Sequence, residues 1–293
     1  MSFAYFQPAS LEESLSLLEE FKGRAKILAG GTDLALKLKR RLVRPDAVIG
    51  IGSLRELRGI RRGEDDSLWI GALSTMEEIA RSELLSGGLA ALRRGASQVS
   101  SRQVRNMATL GGSLSLRIPW TDTAPALVAL GARAFFHGPK GEREAEVTDF
   151  LTDGGNPALQ SDQLLTHFEI PPLPQHTEGT YLKYTPRGLF EWPLVGAAVI
   201  LNCEPGDLRC LRARVVIGAR GSGLFRAAGA ESVLAGKAIT KDLISRAAGE
   251  AADDGARVFG AGPDWYSLEM VKVWVKRAIA EAAAKFLPRS GDV

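Results

Sequence analysis

Cysteine and histidine are scarce in this sequence, and their scarcity argues against several kinds of site. Among 293 residues there are two cysteines, Cys203 and Cys210, which are not arranged as Cys-x-x-Cys. Zinc and iron–sulfur centres need a larger set of such ligands, and a disulfide scaffold needs several pairs. The three histidines, His137, His167 and His176, share no spacing that would gather them around one ion. We therefore expect no metal site within this chain.

Long apolar runs and an excess of one charge are also lacking. No stretch approaches the ~18 apolar residues that span a membrane, and the start, MSFAYFQPAS, lacks the pattern of a secretory signal. The net charge is only +3, which argues against nucleic-acid binding. One basic cluster follows a predicted helix, and we expect it to be a solvated face. Its members are Lys37, Lys39, Arg40, Arg41 and Arg44. These features predict a cytoplasmic protein.

Two glycine doublets in near-matching frames are what the sequence does contain. The first stands in ILAGGTDL, residues 27–34, and the second in ATLGGSL, residues 108–114. A Gly-Gly pair lets the backbone approach a ligand closely, and consecutive N–H groups in such a turn form a nest for an anion. A structural turn without a ligand is the alternative for either doublet alone. Two nests together suit a ligand with adjacent phosphates, such as a dinucleotide.

The order of predicted elements indicates an α+β protein in two domains. A βαβ pattern over residues 1–52 predicts a small parallel unit, and a larger α/β part follows up to residue 172. Pro171–Pro174 is the best candidate linker, and residues 175–293 place strands before helices, which is typical of an antiparallel sheet with helices packed on it. The predicted strands are 25–29, 46–51, 57–61, 67–70, 132–137, 142–147, 164–170, 180–185, 194–201 and 208–217. The predicted helices are 11–23, 33–41, 75–81, 84–97, 122–130, 227–234, 241–253 and 266–286.

The polar segment around the second doublet has competing explanations. Arg102, Arg105 and Arg117 would either balance an anionic ligand or attract an acidic partner. Asp122 stands where a helix N-cap belongs, so it would cap the helix, face a ligand, or do both. The dinucleotide fingerprint G-x-G-x-x-G is absent, which argues against a Rossmann enzyme. Ser113 has no histidine partner that spacing identifies, so a hydrolase is a weak alternative.

Six segments together resemble the FAD-binding medium subunit of the molybdenum hydroxylases. They are ILAGGTDL, NMATLGGSL with PWTDTAPALVALGA, YLKYTPRGLFEWPLVGAAVIL, RPDAVIGIGSLRELRGI, LWIGALSTMEEI and ARVVIGARGSGLFRAAGAESVLAGK. The resemblance extends over nearly the whole chain. Xanthine dehydrogenase, bacterial carbon monoxide dehydrogenase and hydroxybenzoyl-CoA reductase contain this module. The resemblance implies a two-part FAD-binding domain over residues 1–172 and a C-terminal flavoprotein domain over residues 175–293.

The resemblance also implies which residues hold FAD. Backbone N–H groups of the first motif would bind the pyrophosphate, the second motif would lie alongside with Leu110 near the flavin, and Asp122 would line the site. Lys183 would lie near the isoalloxazine ring, where a cation stabilises the reduced flavin. The implied cofactor-binding residues are Leu28, Ala29, Gly30, Gly31, Thr32, Asp33, Leu34, Thr109, Leu110, Gly111, Gly112, Ser113, Asp122, Leu164 and Lys183. Because neither motif holds His or Cys, we expect FAD to be bound noncovalently.

Partners follow from the same resemblance. It implies a small subunit with two [2Fe–2S] clusters and a large subunit with molybdopterin, joined with this chain in a heterotrimer. Electrons would pass from molybdenum through the clusters to FAD, and then to a small-molecule or protein acceptor. The resemblance therefore implies an oxidoreductase subunit without catalytic side chains of its own.

Two positions depart from the family pattern. Ser113 stands where the family usually has Asn, and one lost hydrogen bond there would cost about 1 kcal/mol. Asp33 stands where several relatives have a small uncharged residue, and a carboxylate beside a pyrophosphate is repulsive unless it points away or caps the helix. Two other functions therefore stay open, a self-standing flavin oxidoreductase and a scaffold subunit that has lost FAD.

Overall fold

The chain folds into two compact units, each assembled from three separate stretches of sequence. The computed structural model describes residues 3–152, 159–188, 190–206, 208–221, 223–259 and 265–287. Unit 1 consists of Met1–Ile79, Ser101–Arg117 and Ala132–Ile170, and unit 2 consists of Ala80–Ser100, Ile118–Gly131 and Pro171–Val293. Unit 2 thus includes two stretches that precede the predicted linker. The two domains drawn along the sequence stay a prediction.

Unit 1 begins with a three-stranded parallel sheet, which confirms the prediction from the βαβ pattern. Its strands lie in the order β1–β3–β2. The elements are β1 (Ala4–Phe6), α1 (Leu11–Phe21), β2 (Ala25–Leu28), α2 (Leu34–Lys39) and β3 (Ala47–Gly50). Ser10 caps α1, since its side chain accepts a hydrogen bond from the Glu13 N–H at 3.2 Å. Residues 37–44 are all partly or fully exposed, which confirms the solvated basic face.

A five-stranded antiparallel sheet holds the other strands of unit 1. It has the order β4–β5–β8–β6–β7. The strands are β4 (Ile60–Arg62), β5 (Leu68–Gly71), β6 (Arg133–Gly138), β7 (Gly141–Glu146) and β8 (Leu164–Ile170). Short helices occur between these strands in the sequence, namely α3 (Met76–Arg81), α5 (Arg102–Arg105), α6 (Leu110–Leu114) and α8 (Val147–Thr152). Alternation along β6 buries Ala134 and Phe136 and leaves Arg133 and Phe135 on the outer face.

A four-stranded antiparallel sheet with helices on both faces forms unit 2. The strands β9 (Thr177–Tyr184), β10 (Val195–Cys203), β11 (Cys210–Ala219) and β12 (Gly223–Arg226) lie in the order β12–β11–β10–β9. The helices are α4 (Ala90–Ser97), α7 (Ala124–Ala129), α9 (Ala228–Leu234), α10 (Lys241–Phe259) and α11 (Trp265–Ala284). Val195, Ala197 and Val199 of β10 share a core with α9, α10 and α11. The opposite face contacts α4 and α7, and the predicted antiparallel sheet with helices is confirmed.

The structure differs from the sequence prediction mainly in short elements. The strand expected at 57–61 is a 3₁₀ turn, Arg55–Leu57, followed by β4. The helix expected from residue 84 is α-helical only from Ala90, because Gly87 adopts a φ of 57°. Five elements were not predicted, β1, β12, α5, α6 and α8, since three to six residues are too few for a periodic pattern. No helix in the described ranges is long and apolar enough to cross a membrane.

Candidate functional site

The first glycine motif presents a row of unpaired backbone donors. It connects the end of β2 to the start of α2, and Gly31 turns the chain there with a φ of 72°. Within the described residues, the N–H groups of Gly30, Gly31, Thr32 and Asp33 donate no hydrogen bond. Buried or ligand-facing N–H groups are normally satisfied, so four adjacent free donors suit an anion. This row is the open nest that the sequence predicts.

The two glycine motifs lie against each other in unit 1. A Cβ atom on Gly30 would stand 1.8 Å from the carbonyl oxygen of Met107 and 3.2 Å from Cα of Ala108. Only glycine therefore allows the first motif to contact the segment that leads into the second. A Cβ on Gly112 would in turn stand 3.9 Å from Cβ of Ala29. The structure thus brings together the two motifs that the sequence separates by some eighty positions.

The second doublet is not an open nest, and that part of the prediction is wrong. Gly111 and Gly112 lie in the first turn of α6, whose N-cap Thr109 accepts a hydrogen bond from the Gly112 N–H at 3.2 Å. The N–H groups of Leu110 and Gly111 donate to the carbonyls of Ser74 and Ala72, at 2.9 and 2.8 Å. Glycine is needed at 111 for packing, because a Cβ there would stand 2.7 Å from Cβ of Ala72.

The two departures from the family pattern have different outcomes. Asp33 occupies the N-cap position of α2 without a side-chain cap bond, and its carboxylate pairs with Lys37 Nζ at 2.7 Å. The added negative charge therefore has a cation beside it. Ser113 is partly exposed, and its hydroxyl makes no hydrogen bond to another described residue. Its side chain remains available to a ligand.

Asp122 and Lys183 form a buried ion pair in unit 2. Lys183 Nζ lies 3.1 Å from Asp122 Oδ1, and the two side chains are 1% and 9% exposed. The same ammonium group donates to the carbonyl oxygens of Gln98 at 2.7 Å and Glu191 at 3.3 Å. Asp122 does not cap α7, whose N-cap is Thr123 without a side-chain bond. The capping explanation of Asp122 is therefore wrong, and its carboxylate is committed to Lys183.

Burial controls the protonation of this carboxyl group. It raises the pKa of Asp122 from 3.8 to about 6, and the positive charge of Lys183 and a hydrogen bond from Tyr181 only partly oppose that rise. The Tyr181 hydroxyl lies 3.3 Å from Asp122 Oδ1. Tyr181 was not among the predicted site residues. The signal for it is strand alternation, because residues two apart on β9 share a face and Lys183 was predicted.

Two threonines beside Asp122 have hydroxyl groups without partners. Oγ1 of Thr121 and Oγ1 of Thr123 are buried and make no hydrogen bond within the described residues. Buried hydroxyls are usually satisfied by protein, water or ligand. These two hydroxyls belong to unit 2, and the four free N–H groups of the first motif belong to unit 1. The residues present therefore fit a polar cofactor with phosphates and hydroxyls.

Leu164 and the three arginines near the second doublet have structural partners. Leu164 begins β8 and is 2% exposed, in an apolar cluster with Leu18, Ile49 and Leu73. Its role as a cofactor contact stays a prediction. Arg105 Nε and Arg102 Nε both pair with Glu77, at 2.9 and 3.2 Å. These two arginines are thus part of an ion-pair cluster within unit 1. Arg117 donates to the carbonyl oxygen of Phe150 at 3.3 Å.

Comparison with known families decides the identity of the fold. Residues 1–173 match the FAD binding domain in molybdopterin dehydrogenase, and residues 180–282 match the CO dehydrogenase flavoprotein C-terminal domain. This chain belongs to the FAD-binding subunits of the molybdenum hydroxylase family. The predicted family, the α+β fold class and FAD as the cofactor are confirmed. The chain is accordingly a subunit of an oxidoreductase.

Relatives are similar over most or all of the chain. The nicotinate dehydrogenase FAD-subunit of Eubacterium barkeri is 32% identical over 83% of this chain and 82% of its own. The carbon monoxide dehydrogenase medium chain of Hydrogenophaga pseudoflava is 30% identical over 97% of this chain and 98% of its own. Quinoline 2-oxidoreductase from Pseudomonas putida 86 superposes with a TM-score of 0.86 at 28% identity, covering 98% of this chain and 99% of that one.

Proposed function

We propose that this chain holds FAD, and that the bound FAD passes electrons between the [2Fe–2S] clusters of a partner subunit and an external acceptor. The observation that carries the proposal is the row of four free N–H groups at Gly30–Asp33, held against the second glycine motif. The near-complete overlap with a carbon monoxide dehydrogenase medium chain supports the same role. The small iron–sulfur subunit, the molybdopterin subunit and the heterotrimer are part of this proposal, as is a cytoplasmic location.

Each motif has a proposed share in holding the cofactor. The N–H groups of residues 30–33 bind the pyrophosphate, as helix-start and nest donors do. The Ser113 hydroxyl adds one donor, and Asp122 and Lys183 are the proposed cofactor-binding residues of unit 2. The full proposed set is Leu28, Ala29, Gly30, Gly31, Thr32, Asp33, Leu34, Thr109, Leu110, Gly111, Gly112, Ser113, Asp122, Leu164 and Lys183. Neither glycine motif contains a His or Cys, so attachment is noncovalent.

The protein's contribution is placement and electrostatics. Bound FAD supplies the exchange between one-electron and two-electron steps that such a complex needs. Lys183 keeps a positive charge in a buried position, where it stabilises nearby negative charge more strongly than in water. The Gln98 and Glu191 carbonyls hold that ammonium group in place. No side chain of this chain needs to act as an acid, base or nucleophile.

The test measures FAD content and FAD affinity after a negative charge is introduced beside the free N–H groups of residues 30–33. Thr32→Glu puts a carboxylate into the proposed pyrophosphate site at a partly exposed position, so the fold should be retained. We expect FAD to bind at least about tenfold more weakly, through like-charge repulsion. Thr32→Val is the matched control and should bind nearly as the wild type does, because the backbone donors are unchanged. Flavin fluorescence on titration with FAD measures both.

The outcomes separate the three candidate functions. Acid release of about one FAD per wild-type chain, with loss in Thr32→Glu, supports the proposed subunit. A folded wild-type protein that neither contains nor takes up FAD would leave the scaffold function. A purified chain that alone oxidises a small molecule at a rate independent of partner subunits would instead identify a self-standing flavin oxidoreductase.

A further inference from the structure

Tyr181 lies fully buried in the sheet of unit 2, with its hydroxyl beside Asp122. Its side chain is 0% exposed, and the hydroxyl donates to Asp122 Oδ1 at 3.3 Å. Tyr181 and Lys183 stand two residues apart on β9, so both point to the same face of the strand. The Tyr181 hydroxyl and the Lys183 ammonium group therefore converge on one carboxylate oxygen.

Two glycines provide the space for this arrangement. A Cβ on Gly196, in the neighbouring strand β10, would stand 2.4 Å from the Tyr181 hydroxyl oxygen. A Cβ on Gly95, in α4, would stand 2.4 Å from the backbone oxygen of Asp122. The tyrosine ring thus lies across a strand position that has no side chain, and α4 approaches the Asp122 backbone closely. Neither contact is compatible with any residue larger than glycine at these positions.

The carboxylate of Asp122 is engaged on one side only. Oδ1 receives Lys183 and Tyr181, whereas Oδ2 makes no hydrogen bond to another residue in the described part of the chain. Among the described residues, the charged or titratable groups that act on it are Lys183 and Tyr181. Glu191 accepts from the same ammonium group through its backbone oxygen, and its side chain pairs with Arg187 at 3.5 Å. Burial raises the pKa of Asp122 to about 6, so each of its two donors helps to keep it ionised.

We propose that Tyr181 is a positioning residue for FAD: seated over Gly196, its hydroxyl acts with Lys183 to fix Asp122 through Oδ1 and leave Oδ2 as the acceptor for a hydroxyl group of the cofactor. The inference rests on the proposed function. An ionised carboxylate makes a stronger hydrogen bond to a hydroxyl than a neutral one does. FAD therefore binds more tightly when Asp122 is ionised, and the Tyr181 hydrogen bond, together with Lys183, lowers the pH at which that happens.

The test is the pH dependence of FAD affinity in Tyr181→Phe. Loss of one hydrogen bond to the carboxylate should move the acid midpoint of FAD binding upward by about one pH unit. Measured at pH 6 relative to pH 8, affinity in the variant should fall about fivefold further than in the wild type. Gly196→Ala, which displaces the same hydroxyl, should shift the midpoint in the same direction. Flavin fluorescence from pH 5 to pH 8 gives these profiles without any measurement of enzyme activity.

Tyr184→Phe is the matched control, because it removes a phenol from the same strand on the opposite face, where Tyr184 bonds Tyr266. Its pH profile should coincide with that of the wild type. Coinciding profiles for Tyr181→Phe and wild type would overturn the inference, and so would equal shifts in both phenylalanine variants. Wild-type protein that fails to bind FAD at any pH contradicts the proposed function itself, which is a distinct result.

Discussion

At the scale of single residues, the buried carboxyl group of Asp122 has a direct energetic consequence. Its pKa in the folded protein is about 6 because burial outweighs the help of Lys183 and Tyr181. In the unfolded chain the same group returns to its ordinary pKa of 3.8. Between those two values the folded state holds a proton that the unfolded state has lost. The contribution of this group to stability is therefore full below about pH 4 and is lost as pH rises through 6.

We expect the wild type and Asp122→Asn to differ in the pH dependence of unfolding. The free energy of unfolding of the wild type, relative to the variant, should fall by on the order of 2–3 kcal/mol between pH 4 and pH 7. Above pH 7 the difference should stay constant, because the carboxyl is ionised in both states. Urea unfolding of the FAD-free proteins at several pH values measures this. A difference that grows with pH would contradict the assignment.

Individual site residues were predictable only where a motif identified them. The resemblance pointed to Asp122 and Lys183, and the structure pairs them. It gave no role to Tyr181, because a tyrosine in a strand is usually an ordinary core residue. The capping explanation of Asp122 failed by one position, since α7 has Thr123 as its N-cap. Strand alternation places Tyr181 on the same face as Lys183, but the contact of both side chains with Asp122 is tertiary and no local pattern encodes it.

At the scale of elements, Gly95 and Gly249 are interior helix glycines of unit 2 with different structural roles. In α4, Gly95 lets the helix approach the backbone of Asp122, where a Cβ would stand 2.4 Å from a carbonyl oxygen. In α10, Gly249 has nothing within 4 Å of a Cβ position. Packing requires glycine at position 95, whereas glycine at position 249 only lowers the stability of its helix.

Alanine at these two positions should therefore change stability in opposite directions. Gly249→Ala should stabilise by roughly 0.5–1 kcal/mol, through helix propensity alone. Gly95→Ala should destabilise by roughly 1–3 kcal/mol, because a backbone oxygen must move to make room. Chemical denaturation of the two variants beside the wild type is the measurement. A Gly95→Ala protein with the same free energy of unfolding as the wild type would contradict the close contact between α4 and the Asp122 backbone.

The glycine doublets show how far a sequence pattern predicts an element. Their frames are alike, yet the first leaves four N–H groups free and the second satisfies its own through Thr109, Ala72 and Ser74. The difference arises because α6 starts before the second doublet, whereas α2 starts after the first. Helices of five or six residues have too weak a periodicity for their first residue to be predicted. Longer elements such as β8, β10 and α10 were predicted correctly as to type and place.

At the scale of the whole molecule, the order of elements along the chain is not the order in which they pack. The order of predicted elements and the proline-rich segment predicted a division near residue 172. Unit 2 nevertheless includes α4 and α7, which come from residues 80–100 and 118–131. Both helices pack on one face of the sheet formed after residue 176. A local sequence signal cannot reveal such an exchange, because it depends only on contacts between distant segments.

Cutting the chain at Pro172 tests this arrangement. Residues 173–293 expressed alone should fail to unfold cooperatively and should bind a hydrophobic dye, because one face of their sheet lacks α4 and α7. Co-expression with residues 1–172 should restore a cooperative transition. Circular dichroism on urea titration and dye fluorescence give the readouts. A cooperative transition for residues 173–293 alone would contradict the prediction.

The parts of unit 2 are synthesised at different times, because they come from distant segments of the chain. The chain grows from its N-terminus, so α4 leaves the ribosome before β9 is made. At about 5–20 residues per second, the roughly 80 residues between the two elements take about 4–16 s to add. During that interval the apolar side of α4, which includes Leu92 and Ala96, has no strand to cover. The nascent chain must keep this helix soluble for seconds, whereas the parallel sheet of residues 4–50 is complete almost as soon as it emerges.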